Sequence, residues 1–425
     1  MGGILLKSGY IVDSLNNIEG KRDILVINDV ISEIAENIIV SGDVKVVDCI
    51  GMVVIPGIFD MHVHLRDPGQ THKEDIFTGA MAAAAGGITG VLCMPNTFPT
   101  VDSIEIVEYI VEKAKFAKVK IYPVCSLTKG LKGEEPCDYK RLRKAGAVAA
   151  SDDGYPVKNA RMMYESMKSA HEAGLLVISH CEDLSLTDGG IVNEGKVSLK
   201  LGVKGVNRSS ENIVTAREIY LAKAYDLPIH IAHVSTKEAV GLLEFNRCGL
   251  ITAETAPHYF SLTEDLLLKK DADYRMAPPL RNQEDVDAII AAVKNGVIDC
   301  IVTDHAPHSK EEKKDFQKAP NGVIGLETSL AATLTRLYHT GHITMKRIVD
   351  LMCVNPRKRL NISGGGLAVG DIADIAVFDP DEEWVVEPEK LYSKARNSCF
   401  KGMLLKGRVK YTIVNGKLVY EDERI

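Results

Sequence analysis

The stretch Phe59-Asp60-Met61-His62-Val63-His64-Leu65-Arg66-Asp67-Pro68-Gly69 closes an apolar run that begins at Val53. Side chains alternate across a strand, so His62 and His64 share a face, and Arg66, two residues on, lies on the same side. Two imidazoles side by side at the C-terminal end of a strand can hold one metal ion. Alone, the pair is equally well explained as two hydrogen-bonded histidines inside a barrel. Its surroundings in the chain distinguish the two readings.

Working outward, short runs rich in Val and Ile recur at 53–61, 89–94, 119–124, 147–151, 175–179, 228–234, 250–253 and 299–303. Runs of this length and composition read as parallel strands buried on both faces. Amphipathic segments predicted as helices separate them, among them 101–116, 160–173, 213–225, 236–248 and 285–295. Eight such strands alternating with helices over about 300 residues form the pattern of a (β/α)8 barrel. An open doubly wound sheet would carry GxGxxG after its first strand, and this chain does not. The two ends differ from the middle. Residues 4–50 and 367–425 hold short alternating stretches without a long helix, and Val414-Asn415-Gly416-Lys417 marks a hairpin turn. The expected organisation is therefore an α/β fold in three stretches. Residues 1–54 and 363–425 build one small β domain from both termini, and 55–362 form the barrel.

Composition excludes several classes. The chain has 425 residues with a net charge of −7, so no basic surplus favours nucleic acid. No apolar stretch is long enough for a membrane helix, and the N-terminus lacks the charged and apolar regions of a secretory signal. The nine cysteines show no CxxC pair and fit free buried thiols in a reducing, cytoplasmic setting.

Chemistry gathers at the ends of the predicted strands. The fourth runs into Ser151-Asp152-Asp153-Gly154, the fifth ends at His180, the sixth at His233 and the eighth at Asp304. Singly, each is explained by a satisfied core residue. Together with the HxH pair they bring His or Asp to the C-terminal ends of five strands, where barrel active sites are built. Four histidines and two carboxylates suit zinc or a similar first-row ion. They are too many for one open tetrahedral zinc, so two divalent ions sharing a carboxylate use them better. Asp304 is the candidate catalytic residue, placed to accept a proton from water and pass it to a leaving nitrogen. Arg66 can grip a carboxylate in bidentate fashion. Asn96 and His308, on loops after the second and eighth strands, are further candidates for holding substrate. His258 and His305 read as supporting residues, and the charge run 309–315 as a solvated loop with room for a lid role.

These motifs resemble the amidohydrolase superfamily, and within it the type I dihydroorotases. The matching stretches are Asp60-Met61-His62-Val63-His64-Leu65-Arg66-Asp67-Pro68-Gly69-Gln70, Cys93-Met94-Pro95-Asn96-Thr97, Ala149-Ala150-Ser151-Asp152-Asp153-Gly154, Ser179-His180-Cys181-Glu182, Ala232-His233-Val234-Ser235-Thr236 and Thr303-Asp304-His305-Ala306-Pro307-His308. The resemblance implies reversible cyclisation of N-carbamoyl-L-aspartate to L-dihydroorotate, the third step of pyrimidine synthesis, on two metal ions, expected to be Zn2+. Its ligands would be His62, His64, His180, His233 and Asp304, bridged by Asp153 rather than Asp152. Arg66 and Asn96 would hold the substrate carboxylate, with His308 assisting and Gly322 offering backbone contacts. A homodimer or a transcarbamoylase complex is the implied assembly.

Two departures bear on substrate choice: Ala277 stands where the family often has Asn, and Asn321 where an aromatic residue commonly precedes the glycine. The closest rival reading is a hydantoinase- or allantoinase-type cyclic amidase, whose substrates lack the carboxylate that Arg66 would grip. A rival of another class is an inactive scaffold, though such proteins usually lose metal ligands and all six are present.

Overall fold

The computed structural model describes residues 2–423. Eight parallel strands run in sequence order around a barrel: Ile58–Val63, Ile88–Cys93, Lys120–Cys125, Ala149–Ala150, Leu176–Ser179, Ile229–Ile231, Ile251–Thr255 and Cys300–Ile301. Beyond the last strand, a parallel bridge between Val63 and His305 and the bond from His64 N to His305 O (2.8 Å) bring its extension back to the first. The interior is filled by Phe59, Met61, Leu92, Met94, Val124, Ile178, Ala232 and Val302. These residues face inward from successive strands, as a packed barrel core requires. Helices cover the outside, including Ile104–Ala114, Ala160–Glu172, Ser209–Tyr225, Lys237–Phe245 and Gln283–Asn295.

The expected first strand, 53–61, divides in two. Val53–Pro56 pairs with Gly3–Asp13 and with Ile375–Val385 in a second sheet, and the barrel begins only at Ile58. Gly57 forms the break. A Cβ there would lie 2.2 Å from the Thr89 side chain, so only glycine lets the chain pass from one sheet to the other at this point.

The second sheet has eight strands drawn from both ends of the chain. Its core includes Leu6, Ile11, Ile24, Val54, Ile375, Val377 and Ile413. The expected hairpin joins Leu404–Val414 to Lys417–Glu421, with Asn415 (φ 48°) and Gly416 (φ 70°) both left-handed, as a type I′ turn needs. All nine cysteines are free thiols and eight of them are buried. Among the described residues no helix is long and apolar enough to cross a membrane.

Candidate metal centre

The C-terminal ends of the barrel strands converge on one cavity of about 350 Å³. Of the residues singled out in the sequence, His64, Arg66, Asn96, Asp153, His180, His233, Asp304, His308 and Gly322 line it. His62 lies fully buried beneath them. Gly154, Tyr155, Glu182, Ala277, Ala306 and Asn321 complete the walls.

Local structure aims these groups. Asp60 accepts hydrogen bonds from Thr303 Oγ1 (2.6 Å), Thr303 N (3.2 Å) and His62 N (3.1 Å), which ties the first strand to the eighth. Arg66 (φ 59°), His233 (φ 32°) and Asp304 (φ 46°) all have left-handed backbone, an unfavourable state for such residues. Three of these at one site mark a place where the fold turns side chains into a cavity at the cost of local strain.

Three of the four imidazoles are held by a partner that leaves the other nitrogen facing inward, while His233 Nδ1 is buried without one. His62 Nδ1 donates to Glu254 Oε1 (2.7 Å), His64 Nδ1 to Asn96 Oδ1 (2.7 Å) and His180 Nε2 to Glu182 Oε2 (3.1 Å). The inward atoms then crowd one another. His62 Nε2 lies 3.3 Å from Asp153 Oδ1, and His64 Nε2 lies 3.4 Å from Asp153 Oδ2 and 3.2 Å from Asp304 Oδ1. His180 Nδ1 lies 3.4 Å from Asp153 Oδ1 and 2.8 Å from His233 Nε2. Two groups of potential ligands result, His62–His64–Asp153 and Asp153–His180–His233, with Asp153 common to both. His62 Nε2 and Asp153 Oδ1 are buried without a hydrogen-bond partner.

Electron-pair donors gathered this closely need positive charge between them, so the residues present fit a pair of divalent cations. The electrostatics of the protein alone agree. Burial disfavours charge on His62 and His180, yet Asp153 with Glu254 raises His62, and Asp153 with Glu182 pushes His180 up to about 10. Burial would raise Asp304, but His64 and His62 hold it down at about 2. It is a carboxylate at neutral pH.

Asp152 points elsewhere. Its carboxylate accepts from Leu127 N (2.7 Å), Thr128 N (3.0 Å) and the Thr128 hydroxyl, and it fastens the preceding loop. Arg66 is only 8% exposed, and its Nε donates to Pro307 O (3.2 Å). Burial lowers its pKa to about 10 against the pull of Asp304, Asp153 and Glu312, none of which makes a direct ion pair with it among the described residues. Burial and the nearby Arg66 cation push His308 down, so it is neutral, and its Nε2 donates to Asn321 O (2.9 Å). Asn96 lines the cavity while its oxygen is engaged by His64, leaving the amide nitrogen free of that bond.

The two supporting histidines stand outside the cavity walls. His305 Nδ1 accepts from Gly325 N (3.2 Å), and its Nε2 lies 3.4 Å from Glu74. His258 packs on Tyr259 (4.2 Å between centroids), and burial lowers it to about 4. Sequence reasoning missed Glu254, which joins His62 to His230 Nε2 (3.1 Å). A glutamate inside a fully buried strand was the available signal.

Comparison with known proteins agrees with this geometry. A family model described as dihydro-orotase-like matches residues 51–239. The chain is 46% identical over 422 residues to a dihydroorotase of Geobacter metallireducens, covering 98% of this chain and 99% of that one. It is 46% identical over 425 residues to a dihydroorotase of Acetivibrio thermocellus, covering 99% of each. Among solved structures, an L-hydantoinase (dihydropyrimidinase) from Arthrobacter aurescens matches with a TM-score of 0.88 at 27% identity, covering 99% of this chain and 97% of that one. With nearly every residue aligned to these relatives and the strand-end histidines and aspartates gathered in one cavity, the chain belongs to the dihydroorotase family.

Proposed function

We propose that the protein interconverts N-carbamoyl-L-aspartate and L-dihydroorotate, opening or closing a cyclic amide. The observation that carries this reading is Arg66, a buried guanidinium on the cavity wall that among the described residues has no carboxylate in direct ion-pair contact, with Asp304, Asp153 and Glu312 acting on it only from further off. A desolvated cation is costly unless an anion meets it, and dihydroorotate brings a carboxylate where hydantoin and allantoin bring none.

His62, His64, His180, His233 and Asp304, with Asp153 shared, would hold two divalent ions, and zinc suits this mixture of imidazole and carboxylate. When bound, such ions supply Lewis acidity toward a carbonyl and make water a nucleophile near neutral pH. The remaining steps fall to the chain itself. Asp304, ionised and within 3.2 Å of His64, takes the proton released as water oxygen bonds to the ring carbonyl carbon. As the carbon–nitrogen bond breaks, the same carboxyl returns that proton to the departing amide nitrogen. Ring closure runs these steps backward. Arg66 and the free amide nitrogen of Asn96 hold the substrate carboxylate, and His308 and the backbone at Gly322 bound it on the far side.

The test is a panel of L-dihydroorotate, allantoin and hydantoin offered to zinc-supplemented protein, with ring opening followed by ultraviolet absorbance. Turnover of dihydroorotate, and cyclisation of N-carbamoyl-L-aspartate in reverse, is the expected result. Opening of hydantoin without dihydroorotate would replace this reading with a hydantoinase. Neither activity in metal-replete protein would favour a scaffold.

A further inference from the structure

The charge run 309–315 is not uniformly solvated. Lys310, Glu311 and Lys314 are exposed, but Lys313 turns inward and is 8% exposed. Its ammonium donates to Gly322 O (2.9 Å), Pro320 O (3.0 Å) and Arg275 O (3.4 Å). Three donors meeting three carbonyls is the full capacity of a lysine. Burial and Arg275 lower its pKa to about 8 against the opposing pull of Asp273 and Asp271, so it remains charged at neutral pH.

A second side chain reaches the same oxygen from another part of the chain. Asn397, 3% exposed, lies in the C-terminal segment between Ile375–Val385 and Leu404–Val414. Its Nδ2 donates to Gly322 O (3.0 Å) and Ala306 O (3.3 Å), and its Oδ1 accepts from His308 N (3.2 Å). Gly322 N in turn donates to Arg275 O (2.9 Å). The glycine itself is irreplaceable here. Its φ is +136°, and a Cβ would lie 2.7 Å from Ala306 O. Gly322, Ala306 and His308 all face the cavity, and His308 depends on the adjoining Asn321 carbonyl for its hydrogen bond.

We propose that Lys313 and Asn397 are positioning residues for the substrate pocket, clamping the Gly322 carbonyl from two sides and so fixing the wall formed by residues 306–308 and 320–322. The inference rests on the proposed function for its kinetic consequence, though not for its structural one. An ammonium and a carboxamide ending on one carbonyl hold that peptide plane in one orientation. This matters because a binding group must be held within about 0.5 Å of its productive position by the residues behind it. The C-terminal segment thereby braces the active-site wall from behind, although it lines none of the cavity and carries none of the metal-ligand candidates.

The experiment compares Lys313→Met, Asn397→Ala and the exposed-site control Lys310→Met with the parent protein, all metal-loaded. Two quantities are read: hydrogen–deuterium exchange of peptides covering 319–326, and the kinetics of L-dihydroorotate ring opening. Faster exchange confined to that segment, with KM raised about tenfold or more and kcat within about threefold, is expected for the first two variants. Lys310→Met should match the parent in both. Unchanged exchange, or a loss of kcat with KM unmoved, would overturn the clamp. A parent protein inactive on dihydroorotate would refute the proposed function instead, and the exchange data would still decide the clamp. Should Lys313→Met fail to fold, Asn397→Ala decides on the same two readouts.

Discussion

Asp153 Oδ1 sits between two imidazoles from different strands, 3.3 Å from His62 Nε2 and 3.4 Å from His180 Nδ1. The carboxylate thus belongs to both candidate ligand groups. The carboxylate of its neighbour Asp152, one residue earlier, accepts its hydrogen bonds from Leu127 and Thr128. The chain turns at Asp153, where Tyr155 N donates to Asp152 O (2.9 Å), and that turn divides the pair between chemistry and structure.

That division can be tested. Asp153→Asn removes the shared charge with little change of shape. Its metal affinity should fall by more than the roughly 10–100-fold expected for loss of an outer partner. Asp152→Ala should keep its metal but lower the melting temperature, because it strands three donors at a cost of about 1–3 kcal/mol each at most. Metal analysis of the two purified variants, beside thermal melts, separates them. Equal metal content in both would remove Asp153 from the site.

The strand-end residues were legible in the sequence because a His or Asp that ends an apolar run is conspicuous, and the barrel rule assigns all such ends to one face. What surrounds them was not. Glu254 holds His62 across 192 residues of chain, and no local spacing encodes that contact. Lys313 carries the same charge as its exposed neighbours, so only the packing of residues 275 and 320–322 around it turns it inward. The division of 53–61 at Gly57 was hidden for a similar reason. Both halves are apolar and buried, and they differ only in which sheet they join.

Arg66 offers a second prediction. Truncating one member of a buried charge pair costs about 2–5 kcal/mol. Arg66→Ala should therefore lower kcat/KM for L-dihydroorotate on the order of 100- to 1,000-fold while leaving metal content intact. Arg66→Lys should recover little, since an ammonium cannot reproduce the two parallel bonds of a guanidinium. Steady-state kinetics with metal analysis checks both, and unchanged kcat/KM in Arg66→Ala would sink the carboxylate assignment.

Glu254 ties the candidate metal centre to stability. Its carboxylate takes His62 Nδ1–H on one oxygen and lies 3.1 Å from His230 Nε2 on the other, and His230 Nδ1 reaches Thr252 Oγ1 (2.7 Å). Such a partner sets the orientation and basicity of a ligating imidazole, so Glu254→Gln should weaken metal binding about 10–100-fold. Burial would raise this carboxyl, but His62 and His230 outweigh it and bring it from 4.5 to about 2. A carboxyl depressed in the folded state gives stability that is complete above its unfolded value and lost as pH falls toward the folded one. In metal-free protein, then, the parent should melt higher than Glu254→Gln at neutral pH. That advantage should shrink as pH falls below 4.5 and vanish near 2. Thermal melts across that range check the sign, and a gap that held constant down to the lowest pH would show that Glu254 contributes shape and not charge.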